Sequence, residues 1–165
     1  MWQEMSKEGT QSVAESTKVA SSGFVGRYDH ALDPKKRFTI PREWRAMMGD
    51  PEFVYVMADP TDRCVNIIPA IEMESRLAKL REKALFDPAL SAVLQTIGSN
   101  SEMPAVDGQG RIRISDKLLQ FANLTTTVAM LGAVRMIKLW DPAALAPAAE
   151  VDQAALRDAL AVAGF

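Results

Sequence analysis

The sequence predicts an α+β fold in which one structural unit occurs twice within a single chain. Two segments share an Asp, an Arg four residues later and an alternating strand: residues 33–40 (DPKKRFTI) and 107–114 (DGQGRIRI). They lie 74 residues apart (107 − 33), and each is followed by a short helical pattern and two apolar runs in the same order. Two further amphipathic helical patterns separate the copies. A unit that occurs twice indicates a pseudo-symmetric domain rather than an open solenoid.

The first copy opens with a strand predicted over residues 24–32 and a turn that begins at Asp33. An Asp side chain accepts hydrogen bonds from the backbone of its own turn, and Pro34 fixes φ at the next turn position. Apolar and polar residues then alternate over residues 37–40, which predicts a strand with one buried face. A short helix is predicted over residues 41–48, because a Pro is tolerated at the first helical position.

The first copy ends in a predicted hairpin formed by residues 53–58 and 63–68. Asp59 and Asp62 lie in its connection. They could be interpreted as a carboxylate pair, but two Asp residues around a Pro are more typical of turn chemistry.

Two helices are predicted between the copies. The first spans residues 71–86, with apolar residues at spacings of four, three and four, and the second begins at Asp87-Pro88 and ends at Gly98. Their apolar stripes predict packing against the core, and a contact between subunits is the alternative.

The second copy runs to Trp140 and differs from the first in its turn. Gly108 and Gly110 supply positions at which a positive φ costs little. An Ala-rich stretch from residue 143 to the C-terminus predicts a terminal helix. We therefore expect a disordered extension over residues 1–22, a first repeat over 23–69, a helical connector over 70–98, a second repeat over 99–141 and a helical tail over 142–165.

The composition argues against several classes of protein. With 165 residues, 48% hydrophobic and 24% charged, the chain is typical of a globular domain. No apolar run approaches the about 18 residues of a membrane span, and residues 1–22 lack the apolar segment of a secretory signal, so a cytoplasmic location is expected. The single Cys64 and single His30 offer no metal-ligand cluster and no catalytic constellation. We expect no cofactor, no metal and no enzymatic activity.

Charge is segregated along the chain although the net charge is only −2. Residues 22–48 carry six Lys and Arg and three Asp and Glu, a net charge of +3 (6 − 3). Residues 141–165 carry one Arg and four acidic residues, a net charge of −3 (1 − 4). The net charge argues mildly against bulk affinity for nucleic acid, but its distribution matters more, and the positive block lies around the first turn.

With these motifs, the chain resembles the MraZ family of bacterial transcription regulators over roughly residues 24–141. The segments that carry the resemblance are residues 26–32, Asp33-Pro34-Lys35-Lys36-Arg37 with Ile40-Pro41, Ile68-Pro69, Asp107-Gly108-Gln109-Gly110-Arg111-Ile112, Leu131-Gly132 and Leu139-Trp140-Asp141.

The resemblance implies a double swapped-hairpin, in which two AbrB-like units fused in one chain form a pseudo-two-fold β-barrel with flanking helices. It also implies a ring-shaped homo-oligomer that binds short direct repeats of double-stranded DNA upstream of a gene cluster for cell division and wall synthesis. The expected location is cytoplasmic and nucleoid-associated. The arginines of the two turns, Arg37 and Arg111, are the expected DNA contacts.

The residue types support this mechanism independently. A two-stranded ribbon fits the major groove, and Arg can bind guanine or phosphate through two hydrogen bonds. Lys35 and Lys36 are expected to contact phosphates, and Arg113 shares the polar face of its strand with Arg111. Five residues are expected to form the turns rather than to bind a ligand: Asp33, Pro34, Asp107, Gly108 and Gly110.

The chain departs from the family pattern at Lys36, where a Gly usually precedes the Arg of the first turn. If that position requires a positive φ, Lys costs about 1 kcal/mol there. Ser115 also replaces the Pro found at position 41 of the first copy. The alternative function is a ring-forming scaffold or protein-interaction module that does not bind DNA. An enzyme is disfavoured, since Gly108-Gln109-Gly110 precedes a strand rather than a helix and lacks the third Gly of a dinucleotide site.

Overall fold

A computed structural model describes residues 23–145 and 152–165, and the prediction for residues 1–22 lies outside them. Over these ranges the chain forms eight strands and five α-helices, which confirms the α+β class. In chain order they are β1 (Arg27–Ala31), β2 (Arg37–Thr39), α1 (Arg42–Met47), β3 (Tyr55–Ala58), β4 (Val65–Ile68), α2 (Ala70–Ala84), α3 (Pro88–Asn100), β5 (Ser101–Glu102), β6 (Arg111–Arg113), α4 (Asp116–Phe121), β7 (Thr127–Gly132), β8 (Ile137–Trp140) and α5 (Gln153–Ala163).

The strands obey the internal symmetry that the repeated motif predicts. Six of them form an antiparallel sheet in the order β1-β7-β8-β4-β3-β5. Replacing each strand by its counterpart, β1 by β5, β3 by β7 and β4 by β8, only reverses this order. The central pair, β4 with β8, therefore lies on the pseudo-two-fold axis.

The remaining two strands, β2 and β6, form a separate antiparallel ribbon that joins the two repeats. Arg37 lies opposite Arg113, Phe38 opposite Ile112, and Thr39 opposite Arg111. Strand β1, which precedes the first turn, pairs with β7 of the other repeat instead of β2. Each turn therefore passes the chain from one partner strand to another, which is the swapped-hairpin arrangement that the resemblance implies.

The predicted barrel, however, is not closed. Strands β1 and β5 form the two edges of the six-stranded sheet, and every residue of β1 is exposed. Closure would need β1 to pair with β5, or β2 or β6 to pair with an edge strand. Strands β2 and β6 have three residues each, and within the described chain they pair with each other.

The core lies between the sheet, the apolar face of the ribbon and helices α1 and α4. Phe38 and Ile40 are fully buried, as are their counterparts Ile112 and Ile114, which confirms the predicted alternation. Trp44 of α1 is buried against the ring of Tyr28, with ring centroids 4.9 Å apart. Burial of large apolar side chains from both copies makes the two repeats one hydrophobic unit.

The connector helices differ from the prediction of core packing. Met73 is the one buried residue of α2, and α3 has none. The two helices pack mainly against each other, which leaves most of their apolar stripes half-buried and Val93 exposed. Helix α3 begins at the predicted cap, where Asp87 accepts a hydrogen bond from the Ala89 N–H at 2.9 Å, but it continues past Gly98 to Asn100. A helix interior tolerates one Gly at a cost of about 1 kcal/mol.

The two turns have the same backbone, and both require a left-handed residue before the Arg. Lys36 has φ 59° and Gly110 has φ 78°. The N–H of Lys36 donates to the Asp33 carbonyl at 2.8 Å, and that of Gly110 donates to the Asp107 carbonyl at 2.9 Å. Lys36 therefore carries the strain expected of a side chain in this conformation.

The hairpin between β3 and β4 is organised by Asp59, which confirms turn chemistry at this position. Its carboxylate accepts hydrogen bonds from the Thr61 and Asp62 N–H groups at 2.9 and 2.8 Å, and from Asn66 Nδ2 and Lys138 Nζ at 2.9 and 3.0 Å. Burial alone would raise the pKa of Asp59, but these donors outweigh it and hold the pKa well below its usual value. Because Asn66 and Lys138 are opposite each other in β4 and β8, Asp59 also joins the two repeats.

This arrangement predicts an acid-sensitive contribution to stability. A carboxyl whose pKa is lower in the folded state stabilises the fold above its unfolded pKa of about 3.9 and loses that effect as the pH falls through the folded pKa. We expect Asp59→Asn to lower the free energy of unfolding by about 1–3 kcal/mol at neutral pH and to reduce its decline in acid. Urea denaturation at fixed protein concentration over a pH series measures both. Asp62→Asn is the matched control, and equal pH profiles for Asp59→Asn and wild type would contradict the assignment.

The strained turn gives a second prediction. Lys36→Gly should stabilise the protein by about 0.5–1 kcal/mol, since relief of left-handed strain exceeds the loss of unfolded-state entropy and of one exposed ion pair. Gly110→Ala should destabilise it, because a Cβ there would meet the Arg45 guanidinium in a backbone with φ 78°. Thermal unfolding of the two variants beside wild type measures the difference. A destabilised Lys36→Gly variant would show that the Lys side chain matters more than the strain.

Candidate nucleic-acid interface

The polar side of the ribbon concentrates arginines from both repeats. Arg37 and Arg113 lie directly opposite each other, and Arg111 lies opposite Thr39. Since residues two apart on a strand share a face, these four side chains lie on the side away from the buried Phe38 and Ile112. We call the surface formed by Arg37, Thr39, Arg111 and Arg113 the arginine face.

In the first turn, the Asp holds the Arg. Asp33 Oδ1 accepts hydrogen bonds from the backbone N–H of Lys35 and of Arg37 at 2.9 and 2.8 Å, and Oδ2 accepts one from Arg37 Nε at 2.7 Å. The Arg37 N–H has the largest effect on the pKa of Asp33 and lowers it; burial opposes this, and the Arg37 guanidinium and the Lys35 N–H lower the pKa further, so that it lies below its usual value. The carboxylate thus fixes the turn and the direction of the arginine together.

The second turn repeats this geometry. Asp107 accepts from the Gln109 and Arg111 N–H groups at 2.9 and 2.8 Å and from Arg111 Nε at 2.7 Å. The pKa of Asp107 is lowered in the same way, first by the Arg111 N–H. We call both structures Asp–Arg turns. Their agreement to within about 0.1 Å, at positions 74 residues apart, shows that the sequence repeat encodes a repeated side-chain arrangement as well as a repeated backbone.

Each of the two arginines keeps one edge of its guanidinium for other partners. A guanidinium has five N–H donors, and the Asp–Arg turn uses the one on Nε. Neither Nη1 nor Nη2 of Arg37 or Arg111 donates to another group within the described part of the chain. The Arg37 and Arg111 side chains are 28% and 31% exposed. They are oriented donors rather than mobile surface charges.

The other predicted contact residues gather at the first turn. Arg113 Nε donates to the Lys35 carbonyl at 3.1 Å, and Lys36 Nζ lies 3.0 Å from Asp116 Oδ1. Asp116, at the start of α4, was not singled out in the sequence. The sequence gives little indication of this contact, because Asp116 lies 80 residues from Lys36 and only the pairing of β2 with β6 brings the two residues together.

A second residue missed in the sequence lies at the other turn. Arg45 of α1 donates from Nε to the Ile40 carbonyl at 3.1 Å, and its guanidinium covers Gly110. A Cβ at position 110 would meet it, so a side chain there would have to displace the Arg45 guanidinium as well as adopt a positive φ. Each turn therefore lies against the helix of the other repeat, turn one against α4 and turn two against α1.

The two turns lie at opposite ends of the ribbon, because β2 and β6 are antiparallel and each turn precedes its strand. Arg111 lies opposite Thr39, and Thr39 lies two residues along the strand from Arg37, a distance of about 7 Å. Both Asp–Arg turns can therefore face one side of a single ligand. The ends differ in their residues: the first has Lys35, Lys36 and Arg113 around Arg37, with Asp116 beside Lys36, whereas the second has Gln109 and Gly110 beside Arg111, with the Arg45 guanidinium against Gly110.

One group of potential metal ligands exists among the described residues, and its surroundings do not suit a metal ion. One ligand atom each of Asp59, Asp62 and Cys64 lies within 4.8 Å of the others. Lys138 Nζ already lies 3.0 Å from Asp59, and burial raises the pKa of Cys64 to about 12, which keeps the thiol protonated. An ammonium group therefore occupies the place that a metal would take. No helix of the described chain is both long and apolar enough to cross a membrane.

Comparison with known proteins agrees with this geometry. Residues 99–158 match the family model described as "MraZ protein, putative antitoxin-like". The chain is 27% identical over 117 residues to a Transcriptional regulator MraZ of Clostridium acetobutylicum, covering 71% of this chain and 80% of the relative. It is 28% identical over 136 residues to that of Corynebacterium diphtheriae, covering 82% and 93%, and 29% identical over 118 residues to that of Acetivibrio thermocellus, covering 72% and 80%.

These relatives are named as regulators and not as enzymes. The aligned lengths exceed two thirds of this chain, and the family match includes the whole second Asp–Arg turn. Together with the doubled turn and the swapped pairing of the strands, the matches confirm the resemblance to the MraZ family that was found in the sequence.

Proposed function

We propose that the protein is a sequence-specific DNA-binding transcriptional regulator that contacts DNA through its arginine face. One observation carries the proposal. Two Asp–Arg turns with the same hydrogen bonds lie at the two ends of one ribbon and hold Arg37 and Arg111 by Nε, which leaves their Nη groups without a hydrogen bond among the described residues. The names of the relatives support the same class of function.

The chemistry of the interface follows from the fixed guanidinium groups. The Nη donors can bind O6 and N7 of a guanine or two oxygens of a phosphate. Because Asp33 and Asp107 hold the Nε edge, binding costs less side-chain entropy than it would for a mobile arginine. The opposite face of the ribbon is buried through Phe38 and Ile112, so DNA can approach only the arginine face.

The residues around the first turn would supply affinity that does not depend on sequence. Lys35, Lys36 and Arg113 surround Arg37, and we propose that they contact phosphates. The tight turns themselves are formed by Asp33, Asp107, Gly110, Pro34 and Gly108, which we assign no direct contact. A single arginine face makes few contacts, and one subunit alone would bind weakly.

Assembly would compensate for this weakness. We propose a homo-oligomeric ring that presents several arginine faces to short direct repeats, which raises avidity on the order of 10²-fold through effective concentration. From the resemblance to the family, the proposed targets lie upstream of a gene cluster for cell division and wall synthesis. The proposed location of the protein is the cytoplasm, in association with the nucleoid. The alternative, a ring-forming scaffold without DNA affinity, gives no reason for two oriented arginines on one face.

DNA binding through the two turns has a specific signature. We expect wild type to bind a duplex from upstream of its own gene with an affinity that falls as salt rises, and Arg37→Ala and Arg111→Ala each to weaken binding about tenfold or more. The double variant should retain little binding. Fluorescence anisotropy across a salt series, with circular dichroism to verify folding, measures these effects.

The matched control is Arg81→Ala on the exposed side of α2, which removes one positive charge away from the ribbon. It should leave the affinity within about twofold of wild type. Wild type that forms its oligomer but binds neither this duplex nor a shuffled one would favour the scaffold. Tight binding that is indifferent to both arginines would place the interface on another surface.

A further inference from the structure

The first-turn end of the ribbon contains an acidic group at the centre of its positive charges. Asp116 Oδ1 lies 3.0 Å from Lys36 Nζ and 3.5 Å from Arg113 Nη2. All three side chains are about half exposed, at 52% for Lys36 and Arg113 and 55% for Asp116. We call these three residues the Asp116 cluster. Solvent reaches it, and a bound polyanion could reach it as well.

The Asp116 cluster exists only because the hairpins are swapped. Lys36 belongs to the first turn, whereas Asp116 and Arg113 belong to the second repeat, and the pairing of Arg37 with Arg113 brings them together. Arg113 is held additionally by its Nε hydrogen bond to the Lys35 carbonyl at 3.1 Å. Lys36 has a left-handed backbone, with φ 59°, and its side chain reaches Asp116 at the start of α4.

Among residues 23–145 and 152–165, the second end of the ribbon has no equivalent cluster. At the offset of 74 residues, Lys36 corresponds to Gly110 (36 + 74), Thr39 to Arg113 (39 + 74) and Arg42 to Asp116 (42 + 74). A cation thus replaces the acid, and a Gly replaces the Lys. The pseudo-two-fold axis relates the backbones and the Asp–Arg turns, but it does not relate the charges around them.

We propose that the carboxylate of Asp116 occupies the position of a DNA phosphate at the first-turn end and competes with DNA for Lys36 and Arg113. This inference rests on the proposed function and adds to it a residue that limits affinity. A carboxylate and a phosphate both accept hydrogen bonds from Lys and Arg through anionic oxygens. Since exposed ion pairs contribute little in water, DNA can displace the carboxylate without unfolding the turn.

The competition affects the salt dependence as well as the affinity. The single negative charge of Asp116 offsets part of the two positive charges of Lys36 and Arg113, so DNA that reaches them gains less than it would from unpaired cations. When the carboxylate is removed, both cations are available to phosphates, and each phosphate neutralised adds about 0.9 to the slope of log affinity against log salt. The affinity should therefore rise most at low salt, with a steeper decline as salt increases.

The test compares Asp116→Asn with Glu82→Gln, which removes one negative charge from the exposed side of α2. The probe is a labelled duplex from upstream of the gene, with a shuffled duplex of equal length, measured by fluorescence anisotropy across a salt series on the assembled protein. We expect Asp116→Asn to bind both duplexes about three- to tenfold more tightly at low salt, with a steeper slope. Glu82→Gln should resemble wild type.

A mutant cycle that combines Asp116→Asn with substitutions of Lys36 and Arg113 shows whether Asp116 acts through these two cations. In a Lys36→Gln, Arg113→Gln background, Asp116→Asn should change the affinity by less than about twofold. Unchanged or weaker binding by Asp116→Asn in the native background, with its circular dichroism unaltered, would overturn the proposal and make Asp116 a group that orients Lys36 and Arg113. An equal gain from Glu82→Gln would also overturn it, since the effect would then be one of net charge. If wild type shows no salt-dependent binding, the proposed function fails, and this inference fails with it.

Discussion

The ladder between β2 and β6 is the constraint on which the rest of the structure depends. It consists of three residue pairs, yet it sets which side chains enter the core and which form the arginine face. A slip of one residue would expose Phe38 and Ile112 and move arginines toward the core, at a cost far above that of any surface contact. The register is therefore fixed by burial, and the positions of the three arginines follow from it.

The Asp–Arg turn makes this ladder possible within a short chain. The chain must leave β1, which pairs with β7, and enter β2, which pairs with β6, within the few residues of a turn. The Asp carboxylate satisfies two backbone N–H groups that have no ladder partner and binds the Arg that begins the next strand. The Asp side chain thus stabilises the turn and orients the guanidinium of the Arg, which explains why the spacing of four residues occurs in both copies.

Much of this arrangement could be predicted from the sequence, because its determinants are local. The spacing of Asp33 and Arg37 and the alternation that buries Ile112 and Ile114 each depend on residues close in the chain. The positive φ at Lys36 could be expected only from the Gly that the family usually has at this position. The contact of Lys36 with Asp116 could not be predicted in this way, since it joins residues 80 apart through a pairing that no short pattern specifies. The open sheet was missed for the same reason, since closure depends on edges that are distant in sequence.

The central claim is that DNA binds the arginine face. Hydrogen–deuterium exchange of the assembled protein, with and without the upstream duplex, tests it without altering a residue. The account predicts slower exchange in peptides that contain both Asp–Arg turns, over residues 33–40 and 107–114, with little change in α2 and α3. Protection of the helical hairpin with both turns unchanged would contradict it and place the interface away from the ribbon.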